Sequence, residues 1–325
     1  MFIDQQTPTG EIENLLRTIG FFSRADESIT EVSKPGEGNM NVVLRIQTNL
    51  RSFILKQSRP FVQKYQDIEA PIDRIDVEHQ FYTAIANNDV IKQHVPDTLE
   101  YHSDNHLLIL EDLGNCEDMS SLYNSRQLDT TQLESMINIA ANIHQSTAPD
   151  NYPENKQLRL LNHQHIFVLP FMTDNGFSLD DVQAGLQALS IPYKNEDQLK
   201  QRIKAVGEIY LSNGTTLLHG DYYPGSWMSK DDHIYIIDPE FSFLGFPEYD
   251  LGVLAAHAVL ITHDKAVLPV IKDTYPNDLD SKLLSQMTGI EIMRRLIGLA
   301  QVPLERTVEE KKQLLEMAYG LVMGD

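Results

Sequence analysis

Cysteine and tryptophan each occur only once among the 325 residues. The lone Cys116 excludes an internal disulfide framework and any zinc site built from several thiolates. Positive charge is also scarce: 26 Lys and Arg face 47 Asp and Glu, a formal net charge of −21 at pH 7. That field repels a phosphate backbone or an anionic membrane surface, so neither nucleic acid nor membrane is an expected partner. No apolar run approaches the ~20 residues of a membrane span. The first residues, Met1 to Gln6, lack the basic and apolar regions of a signal peptide, so a cytoplasmic location is expected. There is no Ser/Gly-rich linker and no repeat at a solenoid period. What remains is a globular composition, 42% hydrophobic and 22% charged. A chain of this length with this composition suits two lobes or domains better than one minimal core.

Hydrophobic periodicity divides the chain. Residues 11–20 read as a short amphipathic helix ended by Gly20. Strands follow at 29–34, 40–46 and 52–56, separated by the turns at 35–39 and 48–49. Residues 75–85 have helical spacing, and 106–110 is an apolar strand running into Glu111-Asp112-Leu113-Gly114. Beyond residue 115 helices dominate, at 133–144, 250–262, 283–300 and 308–321, with a polar strand region from Leu217 to Asp238 among them. The expected class is α+β: a small antiparallel-sheet lobe over 1–114 and a larger helical lobe over 115–325.

Several polar groups fall at places where chemistry is possible. Gly36 and Gly38, with Asn39, lie in a hairpin whose backbone N–H groups can approach phosphate oxygens. Lys56 ends the next strand and alternates with Ile54, which turns it toward a cleft or toward solvent. Glu78 on the following helix is a candidate ion-pair partner for it, with Glu69 and Asp76 as competitors. In the second lobe, His219-Gly220-Asp221 follows an apolar strand, five residues before Ser226. Asp238 follows another strand, with Glu240 two residues on. A loop carboxylate can orient a substrate hydroxyl and accept its proton. Further carboxylate and hydroxyl oxygens can hold Mg²⁺. A base, a metal clamp, a lysine and a backbone cradle are together what phosphoryl transfer requires.

In that order these segments resemble the aminoglycoside phosphotransferase/choline kinase family, which has a protein-kinase-like two-lobed fold. His219-x-Asp221-x-x-x-x-Ser226 is similar to the family's catalytic loop, where the last position is usually Asn, and Asp238-Pro239-Glu240 stands at its metal-binding segment. Within the family the likeness is to the methylthioribose kinases. It is carried by Gly36-Glu37-Gly38-Asn39-Met40-Asn41, by Ile54 to Val62 around Lys56, by Ser226 in place of Asn, and by Arg294-Arg295-Leu296-Ile297-Gly298. The resemblance implies ATP and Mg²⁺ as cofactors, Asp221 as base, and Asp238, Glu240 and Ser226 as metal ligands. It further implies Lys56 on the nucleotide phosphates, Glu111 to Leu113 as a hinge whose backbone pairs with adenine, and Asp250 bracing the loop that carries His219. The paired arginines, Arg294 and Arg295, would bind the sugar. The segment Tyr222-Tyr223-Pro224 replaces the usual Leu-His-Thr, which leaves the acceptor open.

The expected activity is therefore that of a phosphotransferase with an alcohol acceptor, methylthioribose or a related sugar. An aminoglycoside or an amino alcohol such as choline is the alternative acceptor, and a non-catalytic pseudokinase the alternative role. The partner is a small molecule, and a homodimer is compatible with the sequence. Arg294 and Arg295 either contact substrate or pair with Glu291 or with an acid on another helix. Adjacent helical positions diverge by ~100°, so one of the two is expected to face any given pocket. Tyr222, Tyr223 and Trp227 form either an aromatic wall for the acceptor or internal packing. His144, His257 and His263 read as structural, and His163 and His165 as surface residues without a metal.

Overall fold

Alternating side chains build the first half of the molecule. The computed structural model describes residues 1–36, 40–231 and 233–324. Five strands, β1 (Ile29–Ser33), β2 (Val42–Thr48), β3 (Ser52–Gln57), β6 (Thr98–His102) and β7 (Leu107–Glu111), form one antiparallel sheet in the order β1-β2-β3-β7-β6. A separate two-stranded ribbon, β4 (Phe61–Val62) with β5 (Tyr65–Glu69), follows the end of β3. On one sheet face Leu44, Ile46, Phe53, Leu55, Leu107 and Ile109 pack under helix α1 (Thr9–Thr18), whose Ile12, Leu15 and Leu16 repeat at helical spacing. The period of two then obliges Ile54, Lys56, Leu108 and Leu110 to face the other way. Register confirms the placement: Lys56 lies opposite Val43 on one side and Leu108 on the other. Helix α2 (Arg74–Ile85) covers this second face, and its Ile75, Phe81 and Ile85 join Leu108 and Leu110 in a core that continues into the rest of the chain.

The second half packs around two buried helices. After the short strand β8 (Glu117–Asp118) come α3 (Leu122–Ser125), α4 (Thr130–Gln145), α5 (Lys156–His163), α6 (Leu186–Asn195) and α7 (Asp197–Leu211). Strands β9 (Thr216–Leu218), β10 (Trp227–Lys230), β11 (His233–Ile236) and β12 (Phe243–Gly245) precede α8 (Pro247–Thr262), α9 (Val267–Thr274), α10 (Ser281–Ile297) and α11 (Val308–Met323). Every residue of α8 from Glu248 to Ile261 is buried, as expected of a helix that is apolar around its whole circumference. Full burial of each of its Leu, Val and Ile side chains contributes ~1.5–3 kcal/mol. Close packing on α10 depends on Gly252, where a Cβ would lie 2.5 Å from that of Met287. Among the described residues no helix is long and apolar enough to cross a membrane.

Strands expected at 29–34, 40–46, 52–56 and 106–110, and the helices at 75–85 and 308–321, match observed elements to within a few residues. The strand at Leu217–Leu218 pairs with β12, not with its sequence neighbour β10, while β10 pairs with β11 and β8. Strand β6 and helices α5 to α7 were not assigned from the sequence, although α7 buries Leu199, Ile203, Val206 and Tyr210 at helical spacing. Their stability comes from packing on neighbours far along the chain.

Candidate active site

Two cavities meet beneath the five-stranded sheet. The larger, about 540 Å³, lies between the sheet and the β10–β11 hairpin. That is the size of a small-molecule pocket. Val43, Ile54, Leu110, Met228 and Ile237 give it apolar walls, and Glu111, Asp112 and Leu113 line its rim together with Gly36. Gly38 and Asn39, expected beside Gly36, lie outside the described residues. The rim backbone is held from both sides: Arg45 donates to Asp112 Oδ1 (3.1 Å) and to the Gly114 carbonyl (2.7 Å), and Lys230 Nζ donates to the Leu113 carbonyl (2.9 Å). The smaller cavity, about 100 Å³, is lined by Asn41, Asp221, Tyr223, Ser226 and Glu240. Val43, Lys56, Gly225 and Asp238 belong to both, so the two form one continuous cleft.

Lys56 occupies the junction, and its Nζ donates to Glu78 Oε1 (2.6 Å) and to Asp238 Oδ1 (2.5 Å). Glu78 is thus the partner, whereas Asp76 accepts the Tyr101 hydroxyl proton instead. Burial alone would lower the lysine pKa, but Asp238, Glu78 and Glu240 outweigh it and the ammonium is held firmly protonated. Burial raises the Glu78 pKa, opposed by Lys56. Arg74 was not anticipated. It is fully buried, pairs with Glu240 Oε2 through Nε at 3.2 Å, and donates to the carbonyls of Met40, Arg59 and Pro71. Asn41 Nδ2 donates to the same Glu240 oxygen at 3.0 Å. Arg74 stands four residues before Glu78 and so shares its helix face. That spacing was the available signal.

The loop after β9 is fixed by Asp250 near the start of α8. Its Oδ2 accepts the His219 backbone N–H (2.7 Å) and its Oδ1 that of Gly220 (3.0 Å). His144 Nε2 approaches the same carboxylate at 3.2 Å, with Tyr275 on its other ring nitrogen, so its structural role has a definite partner. Gly220 has φ +85°, and a Cβ there would lie 2.2 Å from the Phe241 carbonyl oxygen. No other residue fits without moving the loop. His219 Nδ1 accepts the Asp221 N–H (3.3 Å), so Nε2 carries the proton donated to the Ile237 carbonyl (3.0 Å). One imidazole thereby links the segments carrying Asp221 and Asp238. Asp238 itself adopts a left-handed backbone, φ 63°. A carboxylate residue tolerates that conformation better than most.

Asp221 is pushed up to about 6 by burial, against the pull of Arg295 and Arg294. Arg295 Nη2 lies 3.9 Å from Asp221 Oδ1, and its guanidinium stacks 4.7 Å over the Tyr223 ring. Both arginines also bind Glu291, Arg294 through Nη1 and Arg295 through Nε. Convergence of adjacent residues on one carboxylate differs from the expected divergence. Positions three and four residues on straddle position 291 on the helix surface. Neither arginine lines the two cavities.

The aromatic expectation is corrected for two residues. Tyr222 and Trp227 have no exposed surface. Tyr222 donates its hydroxyl to the Met136 carbonyl of α4 (2.9 Å), and Trp227 packs against Tyr222 in the core. Tyr223 alone of the three lines the cleft. His163 stacks near Phe167 and Tyr210 and is not a free surface side chain.

The donors around Asp238 suit a hard divalent cation. The Asp238 side chain is 45% exposed and lines the cleft, as do Ser226 and Glu240. Among the described residues no group of three His, Cys, Asp or Glu side chains could hold a metal alone. That pattern fits Mg²⁺, which usually takes one or two carboxylates and completes its shell with water and substrate phosphates.

Known proteins are similar to this chain in sequence and in fold. A methylthioribose kinase of Exiguobacterium sibiricum is 25% identical, covering 95% of this chain and 90% of its own. A methylthioribose kinase of Bacillus velezensis is 24% identical over 87% and 84%. Among solved structures, a choline/ethanolamine kinase family protein from Mesorhizobium loti superposes with a TM-score of 0.55 at 14% identity, covering 96% of this chain and 94% of that one. Spectinomycin phosphotransferase in complex with ADP and spectinomycin gives 0.54 at 13%, covering 98% of each. The fold is accordingly α+β, two-lobed and protein-kinase-like. The sequence model of one family spans residues 31–280, from the first strand of the sheet to the cap of α10, and takes in Lys56, Glu78, Asp221, Asp238, Glu240 and Asp250. By that match the chain belongs to the phosphotransferase enzyme family.

Proposed function

We propose that the chain is an ATP-dependent kinase that phosphorylates a hydroxyl of methylthioribose or a closely related sugar. The observation that carries the reading is the continuous cleft. An apolar slot sized for a nucleoside opens at Lys56 and Asp238 onto the cavity that holds Asp221. Relatives named methylthioribose kinase align over nearly the whole chain and supply the acceptor. In this reading the lobe boundary falls at residue 114, on the rim of the slot, and the backbone of Glu111 to Leu113 pairs with adenine.

Roles follow from position. Asp221, above pH 6 a carboxylate, orients the acceptor hydroxyl and takes its proton as the oxygen bonds to the γ-phosphorus. The bond to the β–γ bridging oxygen breaks and ADP leaves. Lys56, kept charged and fixed by Glu78, offsets negative charge on the phosphates. Asp238, Glu240 and Ser226 would hold Mg²⁺, which when bound supplies further neutralisation of the phosphate oxygens. Asp250 and His219 keep the loop in place. Arg295, with its Nη2 3.9 Å from Asp221, offsets charge beside the acceptor cavity, and Arg294 stands behind it on Glu291.

The test is a phosphoryl-transfer assay with ATP and Mg²⁺ over methylthioribose, ribose, choline and aminoglycosides. Methylthioribose is expected to give the highest kcat/KM. Asp221→Asn is expected to bind ATP normally in calorimetry and to lose about 10² to 10⁴ in kcat. Wild-type turnover in Asp221→Asn, or a preference for choline or an aminoglycoside, would overturn the reading.

A further inference from the structure

Helix α10 carries a carboxylate that the reaction above does not use. Glu291 is 2% exposed. Its Oε1 accepts from Arg295 Nε (2.6 Å) and Arg294 Nη1 (3.0 Å) and lies 3.3 Å from His257 Nε2. Its Oε2 takes Arg294 Nη1 at 2.9 Å. Behind it, His257 Nδ1 accepts the Tyr123 hydroxyl proton at 2.6 Å, which fixes the imidazole with its remaining proton on Nε2, aimed at Glu291. Burial drives His257 down to about 4, so this donor is neutral at physiological pH.

The consequence appears at Arg295. Nε is committed to Glu291, Nη1 donates to the Ala300 carbonyl at 3.3 Å, and the plane rests on Tyr223. Held this way, Nη2 stops 3.9 Å from Asp221 Oδ1. That distance is an electrostatic contact but not a hydrogen bond. A guanidinium and a carboxylate left to themselves in a site this enclosed close to ~2.8 Å, often through two parallel hydrogen bonds. Such closure would occupy the oxygens that must receive the hydroxyl proton.

We propose that Glu291 is a positioning residue for Asp221: it holds Arg295 at a stand-off, close enough to offset charge and too far to occupy the carboxylate. The inference rests on the reading of Asp221 as the base. The groups facing this cluster are few. Asp221 and Tyr223 come from the loop after β9, Asp238 from the β11–β12 connection, His257 and Tyr249 from α8, and Tyr123 from α3. Tyr210 of α7 and His165, beside Arg294, complete it. Burial keeps the four tyrosines protonated and lowers the His165 pKa. Asp221 is the carboxyl of this cluster that burial pushes up to about 6.

The test is Glu291→Gln beside Glu291→Asp, with rates normalised to folded sites counted by ADP titration. For Glu291→Gln, kcat is expected to fall at least about tenfold while KM for ATP stays within about twofold. The acid limb of kcat/KM for the acceptor is expected to move down by about one pH unit, because a closed Arg295–Asp221 pair favours the ionised carboxylate. Glu291→Asp keeps the charge on a shorter arm and is expected to lie between. Wild-type kcat and pH limb in Glu291→Gln, with only a lower melting midpoint, would make Glu291 merely structural and overturn the proposal. Should Glu291→Gln not fold, the same result in Glu291→Asp overturns it. Asp221→Asn measured in parallel separates the two readings: turnover retained there removes the base itself, whereas turnover lost there with Glu291→Gln unaffected removes only the stand-off.

Discussion

The two ends of the cleft solve the burial of charge in opposite ways. At the nucleotide end one lysine is shared by Glu78 and Asp238, while Arg74 and Asn41 hold Glu240. Three carboxylates there face two cations, and burial pushes Glu240 up to about 7. At the acceptor end one carboxylate, Glu291, is shared by two arginines, and Asp221 completes an even balance. An excess of buried negative charge calls for an additional cation. A balanced cluster calls for none. In the proposed reading, the additional carboxylate at the Asp238 end is where a metal would add positive charge, and the balanced Asp221 end would suit an uncharged acceptor. In the same reading, a protein of net charge −21 accommodates an anionic nucleotide because the carboxylates around Lys56 would carry a metal.

Lys56→Met strikes the nucleotide end hardest. It leaves Glu78 buried without its cation, an arrangement that costs ~3–5 kcal/mol. A lowered melting midpoint and a collapse in kcat/KM for ATP are expected. The stability deficit should widen as pH rises from 5 to 8: burial raises the Glu78 pKa, so the folded variant binds a proton that the unfolded chain releases. Equal loss in acceptor KM alone, with ATP untouched, would break the division between the two ends.

Asp250→Asn acts between them. An amide keeps one acceptor oxygen where the carboxylate offered two, so one of the His219 and Gly220 N–H groups loses its partner. A loss of ~1–3 kcal/mol in stability is expected from urea titration. A fall in kcat should accompany it, because the same loop carries Asp221.

The pH profile sharpens the acceptor end. A carboxyl raised to about 6 is protonated below that pH and cannot accept a proton. Acceptor kcat/KM should therefore fall about tenfold per unit as pH drops below 6. Arg295 lowers the Asp221 pKa, so Arg295→Gln should move the limb upward, opposite to the shift expected for Glu291→Gln.

Trp227→Phe should touch neither end. The indole is fully enclosed in the core, so the change is expected to cost ~1 kcal/mol and to alter KM for ATP and for the acceptor by less than about twofold. Tryptophan fluorescence of the wild type should accordingly respond little to either ligand.

Much of the nucleotide end was legible because its signals are local. The period of two in β3 left Lys56 facing either a cleft or solvent, with Glu78 one of three candidate partners, and the packed sheet and α2 decided both. The spacing from His219 to Ser226 and from Asp238 to Glu240 fixed the acidic segments in order. Arg74 escaped notice because nothing about an arginine near a helix start says that four carbonyl and carboxylate groups converge there. At the acceptor end the arginine pair was visible, but its shared partner was one of several acids within reach. The aromatic residues after Asp221 read equally as wall or core. Tyr222 became core because its hydroxyl meets the Met136 carbonyl, 86 residues away in sequence.

By itself the sequence determined the α+β order of elements, the absence of a disulfide framework and the set of groups able to perform phosphoryl transfer. Those follow from composition, periodicity and short spacings, which act within a strand or a helix turn. Only the tertiary structure decided which carboxylate each buried cation holds, which aromatic faces the cleft, and that His219 joins the Asp221 and Asp238 segments through one ring. The longest of these contacts join residues up to 199 positions apart. Low-dielectric burial decides them, because it penalises any charge or donor left without a partner.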